Sequence, residues 1–185
     1  MNAYNTITIE KTKDNDEYPI TVREAKLHMG YGINDLQEYE EYLGMLIRAV
    51  TKEAEDFIQK DLSLTSCVYT FYNFNDSDVE IPEGHFNSLT AIITDGSTLV
   101  TPQYTFPYEN EVEFELSTSV SSNPLTVQFK TGFTTENIPE NFKLAIMMRV
   151  FDYFLVHRGS KSTLSLQDTQ TFEKLLMTAM STRIP

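Results

Sequence analysis

From Asp35 to Leu62 the apolar residues Leu36, Tyr39, Leu43, Leu46, Ile47, Val50, Ala54, Phe57 and Ile58 recur mostly at steps of three and four. At about 100° per residue they fall within an arc of about 120°, the stripe of a helix with one buried face. Glu38, Glu41, Arg48, Lys52, Glu55 and Asp56 point the other way. The spacing predicts a helix of roughly 40 Å, long enough that other elements must be laid against it. No catalytic group sits on the stripe. It reads as a scaffold helix in an interaction protein.

Before it, residues 1–18 are polar, with only Ile7 and Ile9 alternating, and read as a flexible arm or a short edge strand. Thr21 and Glu24 have the spacing of a capping box for a short helix from Val22 to Met29, stopped by Gly30. Asp35 is the expected cap of the long helix. From Ser66 to Thr131 the period changes to two. Candidate strands are Cys67 to Phe74, Val79 to Ile81, Leu89 to Thr94, Thr98 to Val100, Tyr104 to Phe106, Glu111 to Leu116 and Leu125 to Lys130. Asp95-Gly96 has the signature of a two-residue hairpin turn. Together they suggest about five to seven antiparallel strands.

Pro139 opens a second long helix to about Arg158, apolar nearly all round, which needs cover on more than one side. A Ser-rich linker, Gly159 to Gln167, leads to a last helix from about Asp168. The predicted class is α+β: a helical bundle built from N- and C-terminal helices with an inserted small antiparallel β-sheet or barrel. The expected divisions are an arm at 1–18, a bundle of 19–65 and 139–185, and a β-subdomain at 66–138.

Composition narrows the chemistry. Of the 185 residues, 41% are hydrophobic and 22% charged, as in ordinary globular chains. A lone Cys67 excludes an internal disulfide framework and suits a reducing compartment. No signal pattern and no apolar run of membrane-spanning length are expected. The net charge of −13 is uneven: −6 over residues 1–65, −9 over 66–138 and +2 over 139–185. So acidic a surface disfavours sequence-specific DNA binding, which rests on Lys and Arg displacing counterions.

Catalytic and metal signatures are missing. His28, His85 and His157 lie in different elements, with no partner at metal-ligand spacing, and no phosphate-loop, dinucleotide or nucleophile-elbow motif occurs. The expectation is no enzyme, no cofactor and no metal. Two carboxylate ladders stand out: Glu109, Glu111, Glu113 and Glu115, and Asp76, Asp78 and Glu80. Each reads as a solvated sheet face, or as an acidic rim lining a passage or meeting a basic partner. Arg149 and Asp152, three apart on the apolar helix, are either a local ion pair or groups satisfied across a subunit boundary. Met45, opposite the first stripe, is a candidate subunit contact.

In order along the chain, several short segments resemble the head–tail connector, or head-completion adaptor, proteins of tailed bacteriophages. Pro19-Ile20-Thr21 with Glu24-Ala25-Lys26 and His28-Met29 looks like that family's opening. Asp35, Leu36, Leu46-Ile47, Ala49, Ala54-Glu55 and Leu62 look like its first long helix. Ile81-Pro82, the Leu89 to Gly96 stretch and Thr131-Gly132-Phe133 follow, then Ile138-Pro139, Lys143, Ala145-Ile146, Tyr153 and Arg158. The chain departs from the family at Phe154, Leu155, Val156 and His157, where several members carry an acid and an amide. The resemblance implies a structural virion protein at the neck: a homo-oligomeric ring, twelvefold in the family, below the portal protein. Tail or stopper proteins would follow it, and packaged DNA would pass through the centre without a specific contact. Portal docking would fall to the C-terminal segment, with Arg158, Phe172, Leu175, Leu176 and Arg183.

Two other readings stay open. One is a monomeric β-domain binding a glycan or a protein through Tyr69, Phe71, Tyr72, Tyr104 and Phe106. The other is a hydrolase whose carboxylates converge in one cleft.

Overall fold

The computed structural model describes residues 6–13, 18–80, 86–94, 97–99, 104–105, 113–122, 124–134, 136–160 and 163–181. Among them the order is β1 (Thr6–Lys13), α1 (Val22–His28), α2 (Glu40–Ile58), β2 (Thr65–Tyr72), β3 (Phe74–Glu80), β4 (Phe86–Thr94), β5 (Ser97–Leu99), β6 (Tyr104–Thr105), β7 (Glu113–Ser122), β8 (Leu125–Thr131), α3 (Glu140–His157) and α4 (Leu166–Ser181). A 3-10 turn, Gln37–Tyr39, precedes α2. The class is α+β. The chain divides into two compact units, Met1–Asp16 with Ser63–Gly132, and Glu17–Leu62 with Phe133–Pro185.

In the helical unit α1 starts as its sequence spacing predicts. Thr21 Oγ1 accepts from the Glu24 amide at 3.1 Å, and the Glu24 carboxylate accepts from the Thr21 amide at 2.6 Å. The long helix is shorter than expected. Leu36 adopts a left-handed backbone, φ 56°, which a continuous helix cannot contain, and the 3-10 turn Gln37–Tyr39 follows it before α2 begins at Glu40. Asp35 closes a turn instead, accepting from the Gly32 amide at 2.7 Å.

The buried face of α2 holds Leu43, Leu46, Ile47, Val50, Ala54 and Ile58 as expected, but also Thr51 and Glu55, while Phe57 is 41% exposed. Glu55 turns inward because its carboxylate accepts the Leu62 amide at 3.1 Å, satisfying the chain just beyond the helix. α3 packs against α1, α2 and α4, which accounts for its nearly continuous apolar surface. α4 begins earlier than Asp168: Ser165 Oγ accepts from the Asp168 amide at 3.2 Å, and the Asp168 carboxylate accepts from the Ser165 amide at 2.7 Å.

The β-unit has eight strands in two antiparallel sheets, ordered β1-β2-β8-β4-β5 and β3-β7-β6, among the described residues. Cys67, Tyr69 and Phe71 of β2 and Leu125, Val127 and Phe129 of β8 alternate inward, with the Tyr69 and Phe129 rings 5.3 Å apart. Residues 6–13 are an edge strand paired along its length with β2. Thr94 pairs with Ser97 across the expected hairpin, whose Asp95 and Gly96 lie outside the described residues, as do Ile81 and Pro82.

Candidate interaction surfaces

The helical unit holds a buried polar node on α3. Arg149 occupies an inward position of α3 and is 5% exposed. Its Nε donates to Glu53 Oε1 of α2 at 3.1 Å, Nη2 donates to the same oxygen, and Nη1 donates to Thr169 Oγ1 of α4 at 3.4 Å. Tyr153 Oη donates to the other Glu53 oxygen at 3.1 Å. The rings of Tyr153 and Phe172 lie 5.0 and 5.1 Å from the guanidinium. Burial works against the Arg149 charge, but hydrogen bonds and charge from Glu53 outweigh it and raise its pKa. Burial and the Glu53 charge raise the Tyr153 phenol as well. The node keeps one cation fixed between three helices. A group locked into its charged state is built for positioning rather than proton transfer.

Beside it, a cleft of about 510 Å³ opens between α1, α3 and α4, lined by His28, Met148, Phe151, Asp152, Gln167, Asp168 and Thr171 with Arg149 and Phe172. Among the described residues no three His, Cys, Asp or Glu side chains gather as a metal site.

The sequence-predicted residues are distributed as follows. Arg149 is satisfied inside its own unit by Glu53, not by the local pairing with Asp152. Asp152 is half-buried in the cleft wall. Met45 is 49% exposed. Phe172 and Leu176 are 4% and 0% exposed, and Leu175 packs partly buried against them. Phe172 and Leu176 are therefore taken up by the unit's own core. Arg158 is exposed, stacked over Tyr39. In the β-unit, register places Asp78 opposite Glu115 and Glu80 opposite Glu113, with a bulge between Asp76 and Asp78. Glu109, Glu111 and Arg183 lie outside the described residues.

Three features escaped the sequence reading. Lys26 is 1% exposed, its ammonium donating to Glu40 and to the Ile33 carbonyl at 3.3 Å. Glu53 gave no signal, since a single acid on a charged helix flank looks solvated. Tyr39 and Tyr42 meet His157 at the end of α3 although it lies more than a hundred residues further along the sequence, as no local pattern reports.

No protein-family model matches the chain, and no curated protein matches it. Solved structures share its fold nearly end to end. A chain in the neck of an empty gene transfer agent particle, computed with C6 symmetry, superposes at TM-score 0.64 with 16% identity, covering 96% of this chain and 97% of that one. A chain of the virion of a native gene transfer agent particle gives 0.65 with 14% identity over 95% and 97%. A chain in the neck of the native particle, computed with C12 symmetry, gives 0.61 with 11% identity over 95% and 97%.

Proposed function

We propose that this chain is a structural subunit of a virion neck, assembling as a homo-oligomeric ring at the head–tail interface and leaving a central passage for DNA. One observation carries the reading: the fold is shared over nearly the whole length with chains of phage-like particles, two of them in necks computed with sixfold and twelvefold symmetry. The chain's own residues support it. The polar node in the helical unit positions groups rather than reacting, consistent with a protein that performs no turnover. A net charge of −13 gives passing DNA few cations to grip.

The finer assignments follow from that reading. A twelvefold ring sits below the portal protein, with tail or stopper proteins beneath it. The acidic ladders of β3 and β7 line the passage or meet a basic neighbour. Residues 139–185, net +2, face the portal. With Phe172 and Leu176 in the core, portal docking on this segment draws on Leu175, Arg183 and the exposed flank of α4, where Leu166 is 75% and Met177 57% exposed. Met45 and Asp152 are subunit contacts.

Electron microscopy of the purified chain, alone and mixed with its portal protein, tests this directly. Rings of fixed copy number stacked on the portal are expected. A chain that stays monomeric in both conditions, or is missing from the neck in a virion map, refutes it.

A further inference from the structure

The end of α3 carries a platform of rings. His157 lies against Tyr42, centroids 4.2 Å apart and planes 33° from parallel, and edge-on to Tyr39 at 6.4 Å. Tyr39 meets the buried Phe154 edge-on at 5.5 Å. Over both lies Arg158, its guanidinium carbon 5.5 Å from the Tyr39 centroid and 5.8 Å from that of Phe154. His157 and Arg158 are exposed. No acid among the described residues forms an ion pair with Arg158. The guanidinium lies over the rings and is exposed, so its N–H groups can meet a planar anion, as in bidentate carboxylate recognition. Ordering it on binding costs little, because the rings already hold it.

We propose that this platform is a contact between neighbouring copies, receiving the acidic β3–β7 ribbon of a second copy. The inference rests on the ring reading above. Charge complementarity selects the occupant: residues 66–138 carry −9 and residues 139–185 carry +2. In the ribbon, backbone register sets Asp78 opposite Glu115 and Glu80 opposite Glu113, so four acidic positions fall within two neighbouring strands. A closed ring needs a head-to-tail interface joining two different patches, as a cation platform and an acidic ribbon are. DNA fits less well, since its dense phosphate charge would meet a chain of net −13. Arg158 thus serves the ring rather than the portal.

The test compares wild type and Arg158→Glu as full chains, alone and with the portal protein, by mass photometry. Where wild type forms rings, Arg158→Glu is expected to need about tenfold more protein to assemble. Raised salt should weaken wild type in the same direction, and pairing Arg158→Glu with Glu115→Arg or Glu113→Arg should restore assembly. Should Arg158→Glu melt early, Arg158→Gln, which keeps the stem on the rings, decides with a smaller loss of the same sign. Rings from Arg158→Glu at wild-type concentration, or a loss that neither paired change recovers, overturn the inference alone. Binding of duplex DNA by wild type that Arg158→Glu abolishes also overturns it, making phosphate the occupant. A wild type that forms no ring in either condition sinks the ring reading and this contact with it.

Discussion

Arg149 donates through both Nε and Nη2 to a single carboxylate oxygen of Glu53, 96 residues earlier in the chain. The pair ties the two helices on either side of the β-insertion into one body. Arg149 is 5% exposed and Glu53 33%, so solvent screens one partner only. Glu53→Ala strands a buried cation and is expected to cost about 2–3 kcal/mol in urea unfolding. Arg149→Met should cost less, because the new side chain keeps contact with Phe172 and Tyr153 and water can reach the remaining acid. Equal losses would count against the pairing as the source.

Alkaline pH should loosen the same node. The Tyr153 phenol is raised above its ordinary value of 10.0 by burial and by Glu53. Stability is full below about pH 10 and declines above it, because the unfolded chain releases the proton while the folded one still holds it. Tyr153→Phe is expected to flatten that decline, measured as chemical denaturation between pH 9 and 11.

Acid acts at the start of α1. Burial would raise the Glu24 pKa, but hydrogen bonds from Thr21 and the Lys143 charge outweigh it and hold it below 4.5. Its contribution is therefore present above pH 4.5 and lost as pH falls through the lower folded value. Glu24→Gln should make the acid limb of the stability curve shallower. An unchanged limb would remove Glu24 from the account.

Gly132 separates space from conformation. At φ +83° a Cβ there would stand 2.2 Å from the Ser63 carbonyl oxygen, whereas at Gly30, φ +80°, it would meet nothing within 4 Å. Gly30→Ala should cost about 1–2 kcal/mol for the left-handed backbone alone. Gly132→Ala must also push main chain aside and should cost several kcal/mol or prevent folding. Thermal melts of the two variants decide it.

Met45 tests the ring without touching the core. Its side chain is 49% exposed on α2. Met45→Glu is expected to leave the melting temperature within about 2 °C, since a surface change away from special features is nearly neutral. Ring formation should weaken. Unaltered assembly would remove Met45 from the interface.

What could be read ahead of the structure follows the range of the forces involved. Thr21 with Glu24, the Leu43–Ile58 stripe and the Tyr69 and Phe71 alternation are local, so period and capping chemistry exposed them. Leu36 was not legible: its left-handed backbone carries no compositional mark, and it shortened α2 by five residues at the start. The burial of Glu55 and Lys26 depends on partners at Leu62 and Glu40 reached only after the chain turns back. Phe172 and Leu176 are covered by the core of their own unit, which a stripe alone does not tell, because it does not say whether its cover comes from its own chain. The Arg158 platform needed rings from both ends of the sequence.

The Phe133 amide donates to the Leu62 carbonyl at 3.0 Å, and Gly132 lies against Ser63. The segment of chain that leaves the helical unit and the one that returns to it are therefore clasped side by side. The helical unit's chain is thereby closed by a main-chain hydrogen bond across the 70 residues between Leu62 and Phe133, and its helices are held as one body whatever length of chain lies between.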